Sequence, residues 1–247
     1  MTLAAPSAQR LLPGRPVPQF VEQALFLVMV WAGFSVAILL ITFGVSLFRE
    51  IEISGWSMGS SAARWFVFAI ACYLAYSVLP LHVTHGQTRR DFAVRFMVFV
   101  PLYAALAAVL VVLTFYIEGA VYGLMGWPHV IENAAFHRDV FSGPLALLET
   151  WLIASVWVAA GAMIAAGWYR NSWLGSVLTL LAVLISVLSA TTLGDRGTPF
   201  AAAGGRLGIE GSIPLAIVGH LVFLAVLYVV FWFVVRDTAI HSKAEDA

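Results

Sequence analysis

Three ionisable residues stand in or beside long uncharged runs: Glu118, Glu149 and His220. A charge inside hydrocarbon is costly, so such residues are functional candidates by default. All three are expected at roughly the same depth, toward the outer side, where they would form a polar vestibule or a cation-recognising patch at the exit. The plainer reading has each close enough to the boundary to reach water or headgroups. A second group, His129, Glu132, His137 and Asp139, carries metal-ligand side chains. Its spacing matches no metal motif, so no metal is expected. Hydrolysis is not expected either. His-Glu-x-x-His is absent, and no Ser/His pair stands out at a shared depth within the apolar runs.

The third group lies in one short polar break, residues 82–96, HVTHGQTRRDFAVRF. Gly86 suits a turn or a helix C-cap. Thr88 and Asp91 stand at capping-box spacing, in which the hydroxyl accepts a first-turn amide and the carboxylate reaches back. Phe92, Arg95, Phe96 and Phe99 follow at helical spacing. A helix is therefore predicted to start here, with Arg89 and Arg90 on its exposed first turn. Two arginines at a helix start oppose the helix dipole. Their retention has two explanations. One is the preference for cations on the cytoplasmic side of a membrane. The other is a contact surface, with an arginine pairing a partner's carboxylates and Phe92 entering an apolar pocket.

The elements that position these residues follow from composition. Of 247 residues, 62% are apolar and 11% charged, with mean hydropathy +0.94. Soluble domains carry roughly 25% charged residues. Lipid must serve as much of the solvent. Formal net charge is zero, which suggests no nucleic-acid partner. The single cysteine, Cys72, offers no disulfide framework.

Uncharged windows at residues 23–48, 65–88, 96–117, 150–169, 171–194 and 211–235 predict six transmembrane helices. They show no strand alternation, so the fold class is all-α and polytopic. With the N-terminus inside, inner segments hold eight Lys and Arg and outer segments five. That bias predicts cytoplasmic N- and C-termini.

The expected organisation is a flexible cytoplasmic segment 1–19, a six-span domain 20–236 and a cytoplasmic tail 237–247. A cytoplasmic helix is expected near 84–95, and outer loops at 119–144 and 193–213. Residues 15–23 suit the membrane surface ahead of span 1. Pro80 is expected to kink or end span 2. Gly123, Gly126, Pro128, Gly143 and Pro144 should break the first outer loop. The small-residue run AAGAMIAAG (159–167) allows close helix approach, favoured within the chain over a dimer seam.

The run HGQTRRDF resembles the first cytoplasmic loop of membrane subunits of ABC-2 type exporters. There a His/Tyr-Gly-x-Thr/Ser-Arg-x-x-Phe signature precedes the third span. Gly86, Thr88, Arg89 and Phe92 match it, with Arg90 as a variable basic neighbour. The likeness covers eight residues as motif and most of the chain as layout. It implies a permease subunit in a cell membrane, most simply a bacterial inner membrane. It also implies that Gly86, Thr88, Arg89, Arg90, Asp91 and Phe92 couple the chain to separate ATP-binding cassette subunits.

A second permease subunit, identical or different, would complete the path through the lipid. The chain has no Gly-x-x-x-x-Gly-Lys-Ser/Thr, and its one lysine is Lys243. No cofactor is therefore expected on this chain, and ATP with Mg2+ is expected in the partners. The alternatives are a membrane scaffold or sensor-associated protein, or a secondary transporter or channel. The latter should carry an ionisable pair nearer the midplane.

Overall fold

A computed structural model describes residues 18–130, 143–192 and 213–238. The elements run α1 (Pro18–Ser46), α2 (Gly55–Tyr73), a π-helical turn (Leu74–Val78), α3 (Leu79–Thr84), α4 (Arg89–Met125), α5 (Gly143–Arg170), α6 (Ser172–Thr192) and α7 (Ile213–Arg236). No strand occurs among the described residues. Six helical stretches are long and apolar enough to cross a membrane, with α2, the π turn and α3 forming one of them. The architecture is that of a multi-pass membrane protein. One face carries the start of α1, the α3–α4 corner, the α5–α6 turn and the end of α7; we call it the near face. The far face carries the opposite ends.

Helix α5 is the axis of the bundle, packing against α2, α4, α6 and α7. Its small residues make this possible. Ala159, Ala160, Gly161, Ala162, Ala165 and Ala166 are all buried. A Cβ on Gly161 would lie 2.6 Å from the Phe68 carbonyl oxygen. One on Gly167 would lie 3.3 Å from Gly175 Cα. The close approach expected of this run is thus made within the chain, to α2 and α6. Without a hydrophobic drive between helices in lipid, such backbone proximity is what gains dispersion energy.

Several boundaries differ from the sequence expectation. Helix α1 already includes residues 18–23, because Pro18 can occupy a first helical turn at no hydrogen-bond cost. Helix α2 starts at Gly55 and carries Arg64 inside it, so the uncharged window began too late. Gly143 and Pro144 begin α5 rather than break a helix, since the first turn needs no proline N–H. Gly123 lies within α4, which continues to Met125. Gly126, at φ 70°, ends it. That helix has 37 residues and is about 55 Å long, against about 30 Å of hydrocarbon. Its two ends therefore extend past the bilayer core. The helix expected near 84–95 is the first part of α4, which starts at Arg89, and residues 85–88 are the corner before it.

Prolines in two spans are accommodated differently. Pro80 is the second residue of α3, directly after the widened π turn. The helix continues through Pro80 to Thr84, so Pro80 does not end span 2; a π turn next to a proline is a place where helices can kink. Pro101 lies inside α4 and leaves the Met97 carbonyl without its usual i+4 donor. The Tyr228 hydroxyl of α7 donates to that carbonyl at 3.1 Å. A neighbouring helix thus satisfies the freed group, as lipid requires.

Candidate functional site

The near-face corner is built from two caps. Gly86, at φ 79°, ends α3. Its N–H donates to the Val83 carbonyl at 3.0 Å, and the Gln87 N–H donates to the His82 carbonyl at 3.2 Å. That pair of bonds is a Schellman motif. Thr88 then caps α4: its hydroxyl oxygen accepts the Asp91 N–H at 3.1 Å. The same hydroxyl donates to the Asp91 carboxylate at 2.7 Å. The capping spacing read from Thr88 and Asp91 is realised, although the recorded carboxylate bond is to the hydroxyl. Asp91 also places negative charge at the helix start, offsetting part of what Arg89 and Arg90 cost there.

The side chains expected to make contact with a partner are split. Arg90 is exposed, with its guanidinium 5.8 Å from the centre of the Trp232 ring on α7. That is a cation–π distance, worth about 0.5–1 kcal/mol at an exposed site. Arg89 is half-buried. Phe92 is only 5% exposed. It lies 5.5 Å from the His82 ring and 5.9 Å from Phe96, which in turn meets Phe231 of α7 at 5.2 Å. The expectation that Phe92 enters a partner's pocket is therefore corrected. The hairpin turn needs an apolar plug between α3 and α4, and Phe92 fills that place. Three buried polar atoms of the corner, His82 Nε2, Gln87 Oε1 and Arg89 Nε, have no hydrogen-bond partner among the described residues.

On the far face the structure assigns Glu118 a structural task. Ser54 caps α2 and accepts the Ser57 N–H at 3.1 Å. The Trp56 N–H donates to Glu118 Oε1 at 3.1 Å, and the Gly55 N–H to the Tyr122 hydroxyl oxygen at 3.1 Å. Three opening amides of α2 thus find side-chain acceptors, two of them from α4. The Ser54 hydroxyl donates to Glu118 Oε2 at 2.5 Å, and His129 Nε2 lies 3.0 Å from the same oxygen. A carboxylate at the positive pole of α2 is in a favourable place. Thr42 closes the group: a Cβ on Gly55 would lie 2.6 Å from its hydroxyl oxygen.

The vestibule expected of Glu118, Glu149 and His220 is corrected. Their exposures are 0%, 6% and 0%, so none opens to solvent within the chain. His220 belongs to another group, bonded to Ser189 at 2.7 Å and to the Ala216 carbonyl at 2.7 Å. A carbonyl only accepts, so Nδ1 carries the proton and Nε2 accepts from Ser189. This Ser/His pair joins α6 to α7 at one depth, contrary to the sequence reading that none stood out. Both residues are buried, which fits interhelical bonding in lipid. Glu132, His137 and Asp139 lie outside the described residues; among those described, no cluster of three or more metal-ligating side chains occurs.

Tyr228, Trp232 and Pro101 are the parts of the corner's surroundings that sequence reasoning missed. A proline in an uncharged window, and a phenol on a span that shows no other need for one, were the available signals. No family model, no curated protein and no solved structure matches the chain.

Proposed function

We propose that this chain is the membrane subunit of an ATP-driven exporter of the ABC-2 type, worked by separate ATP-binding subunits. The observation that carries the reading is the α3–α4 corner. It is capped on both sides, carries exposed Arg90 on the first turn of α4, and continues without a break into a membrane-crossing helix. Its residues 85–92 are the run that resembles the family's coupling loop. In this reading the near face is cytoplasmic, as are both termini, and the membrane is a bacterial inner membrane. Arg89 and Arg90 meet acidic groups of the ATPase. Phe92 passes the movement inward through Phe96 and α7, rather than touching the partner. A second permease subunit completes the path, and alternating exposure of that path moves the cargo.

The test is purification of the chain from its native membrane in mild detergent. The expected companion is a soluble ATPase carrying Gly-x-x-x-x-Gly-Lys-Ser/Thr, whose ATP turnover rises on assembly. Arg90→Glu should break that association while the chain still inserts. A chain that purifies without any such ATPase at stoichiometric yield sinks the reading.

A further inference from the structure

Two prolines inside helices bracket the corner, and their placement has a mechanical meaning. Going backward from the corner, α3 meets Pro80 and the π turn Leu74–Val78. Going forward, α4 meets Pro101. Between these points the chain is tied to itself. The Schellman bonds at Gly86, the Thr88 cap and the His82–Phe92 contact join α3 to the first turn of α4. Helix α2, the π turn and α4 pack on α5, whereas α3 packs, among the described elements, on the π turn and α4 alone.

We propose that Leu79–Val100 is a rigid lever that swings about hinges at the π turn with Pro80 and at Pro101, and that Tyr228 latches it. At a proline the helix lacks one hydrogen bond, so bending there breaks no backbone bond. The hydrogen bond that holds the second hinge is supplied from outside the helix, by Tyr228 on the Met97 carbonyl at 3.1 Å. Trp151 of α5 donates to the Pro101 carbonyl at 3.0 Å and steadies the far side of the same hinge.

Trp232 lies one turn beyond Tyr228 on α7 and takes Arg90 at 5.8 Å. Helix α7 therefore grips the lever at three points: Arg90 at its tip, Phe96 against Phe231 along it, and the Met97 carbonyl at its hinge. The lever is a property of this chain alone and stands whether or not the partner is an ATPase.

The experiment uses the full chain in lipid nanodiscs. Amide hydrogen exchange over residues 89–100 is compared with exchange over residues 172–189. Tyr228→Phe should raise exchange in the first segment about threefold, the average worth of one interhelical bond in lipid, and leave the second unchanged. In a Pro101→Ala background the residue 101 N–H bonds Met97 directly, so Tyr228→Phe should then change nothing. Nitroxides at Thr84→Cys and Trp173→Cys, in Cys72→Ala, report the swing. Their distance distribution should broaden with Tyr228→Phe and narrow with Pro101→Ala. The lever is overturned by exchange that stays flat, by a rise over both segments, or by an equal rise in the Pro101→Ala background. It is also overturned by one distance distribution common to all variants.

Discussion

Glu118 and Trp56 are 62 residues apart, yet the Trp56 amide donates to the Glu118 carboxylate at 3.1 Å, inside a site closed to solvent. A buried acid that reads as a transport residue in sequence is, in three dimensions, a cap that one helix supplies to another. The capping geometry makes a direct prediction. Glu118→Ala leaves the Trp56 N–H and the Ser54 hydroxyl without their acceptor and should destabilise the fold by about 1–3 kcal/mol. Glu118→Gln keeps an acceptor oxygen and should cost less. Denaturation of the purified chain by SDS titration checks both, and equal loss in the two variants would show that the charge, not the acceptor, matters.

Gly161 makes a second case. Any side chain there meets the Phe68 carbonyl oxygen, a backbone atom that cannot rotate away. It also disturbs the Cys72 thiol, which donates to the Gly161 carbonyl at 3.2 Å. Gly161→Ala should therefore lower stability by about 1–3 kcal/mol through overpacking. Gly33, with nothing near its Cβ position, is the control. Gly33→Ala should be neutral or better in the same titration.

Arg90 and Phe92 are neighbours with opposite environments, and their variants should separate coupling from folding. Phe92→Ala removes a buried ring and should cost about 3–5 kcal/mol of stability. Arg90→Glu changes an exposed side chain and should leave stability within about 0.5 kcal/mol, less the cation–π contact with Trp232. Under the proposed function it should still abolish stimulation of the partner's ATP turnover. Normal turnover in Arg90→Glu would remove Arg90 from the docking surface.

Ser189 and His220 offer a double-mutant cycle. The coupling energy of the pair should be about 0.6–1.7 kcal/mol, so the double change to Ala should cost less than the two single changes together, because they share one bond. Additive losses would show that the pair contributes no coupling between α6 and α7.

The corner was legible in the sequence because its signals are local. A glycine at a positive φ, a Thr-x-x-Asp cap and an aromatic at helical spacing act over a few residues, so their spacing is their structure. Six spans were legible for a related reason. Hydrocarbon length and the cost of buried charge act on each window by itself. What spacing cannot carry is direction. The helix starting at Arg89 puts Arg90 outward and Phe92 inward, and which face meets α7 depends on how α7 lies.

The rest was decided by tertiary structure. Glu118 and Ser54, His220 and Ser189, and Tyr228 and Met97 lie 64, 31 and 131 residues apart. No local rule relates such pairs. The sequence alone determined that the chain is helical, apolar enough for lipid and interrupted by a capped basic corner. Packing decided that its buried acid caps a helix and that its second proline is held by a tyrosine from the last span. The physical reason is that lipid leaves no polar group to water. Each must find a partner within the protein, and for pairs such as these only the folded bundle says which helix supplies it.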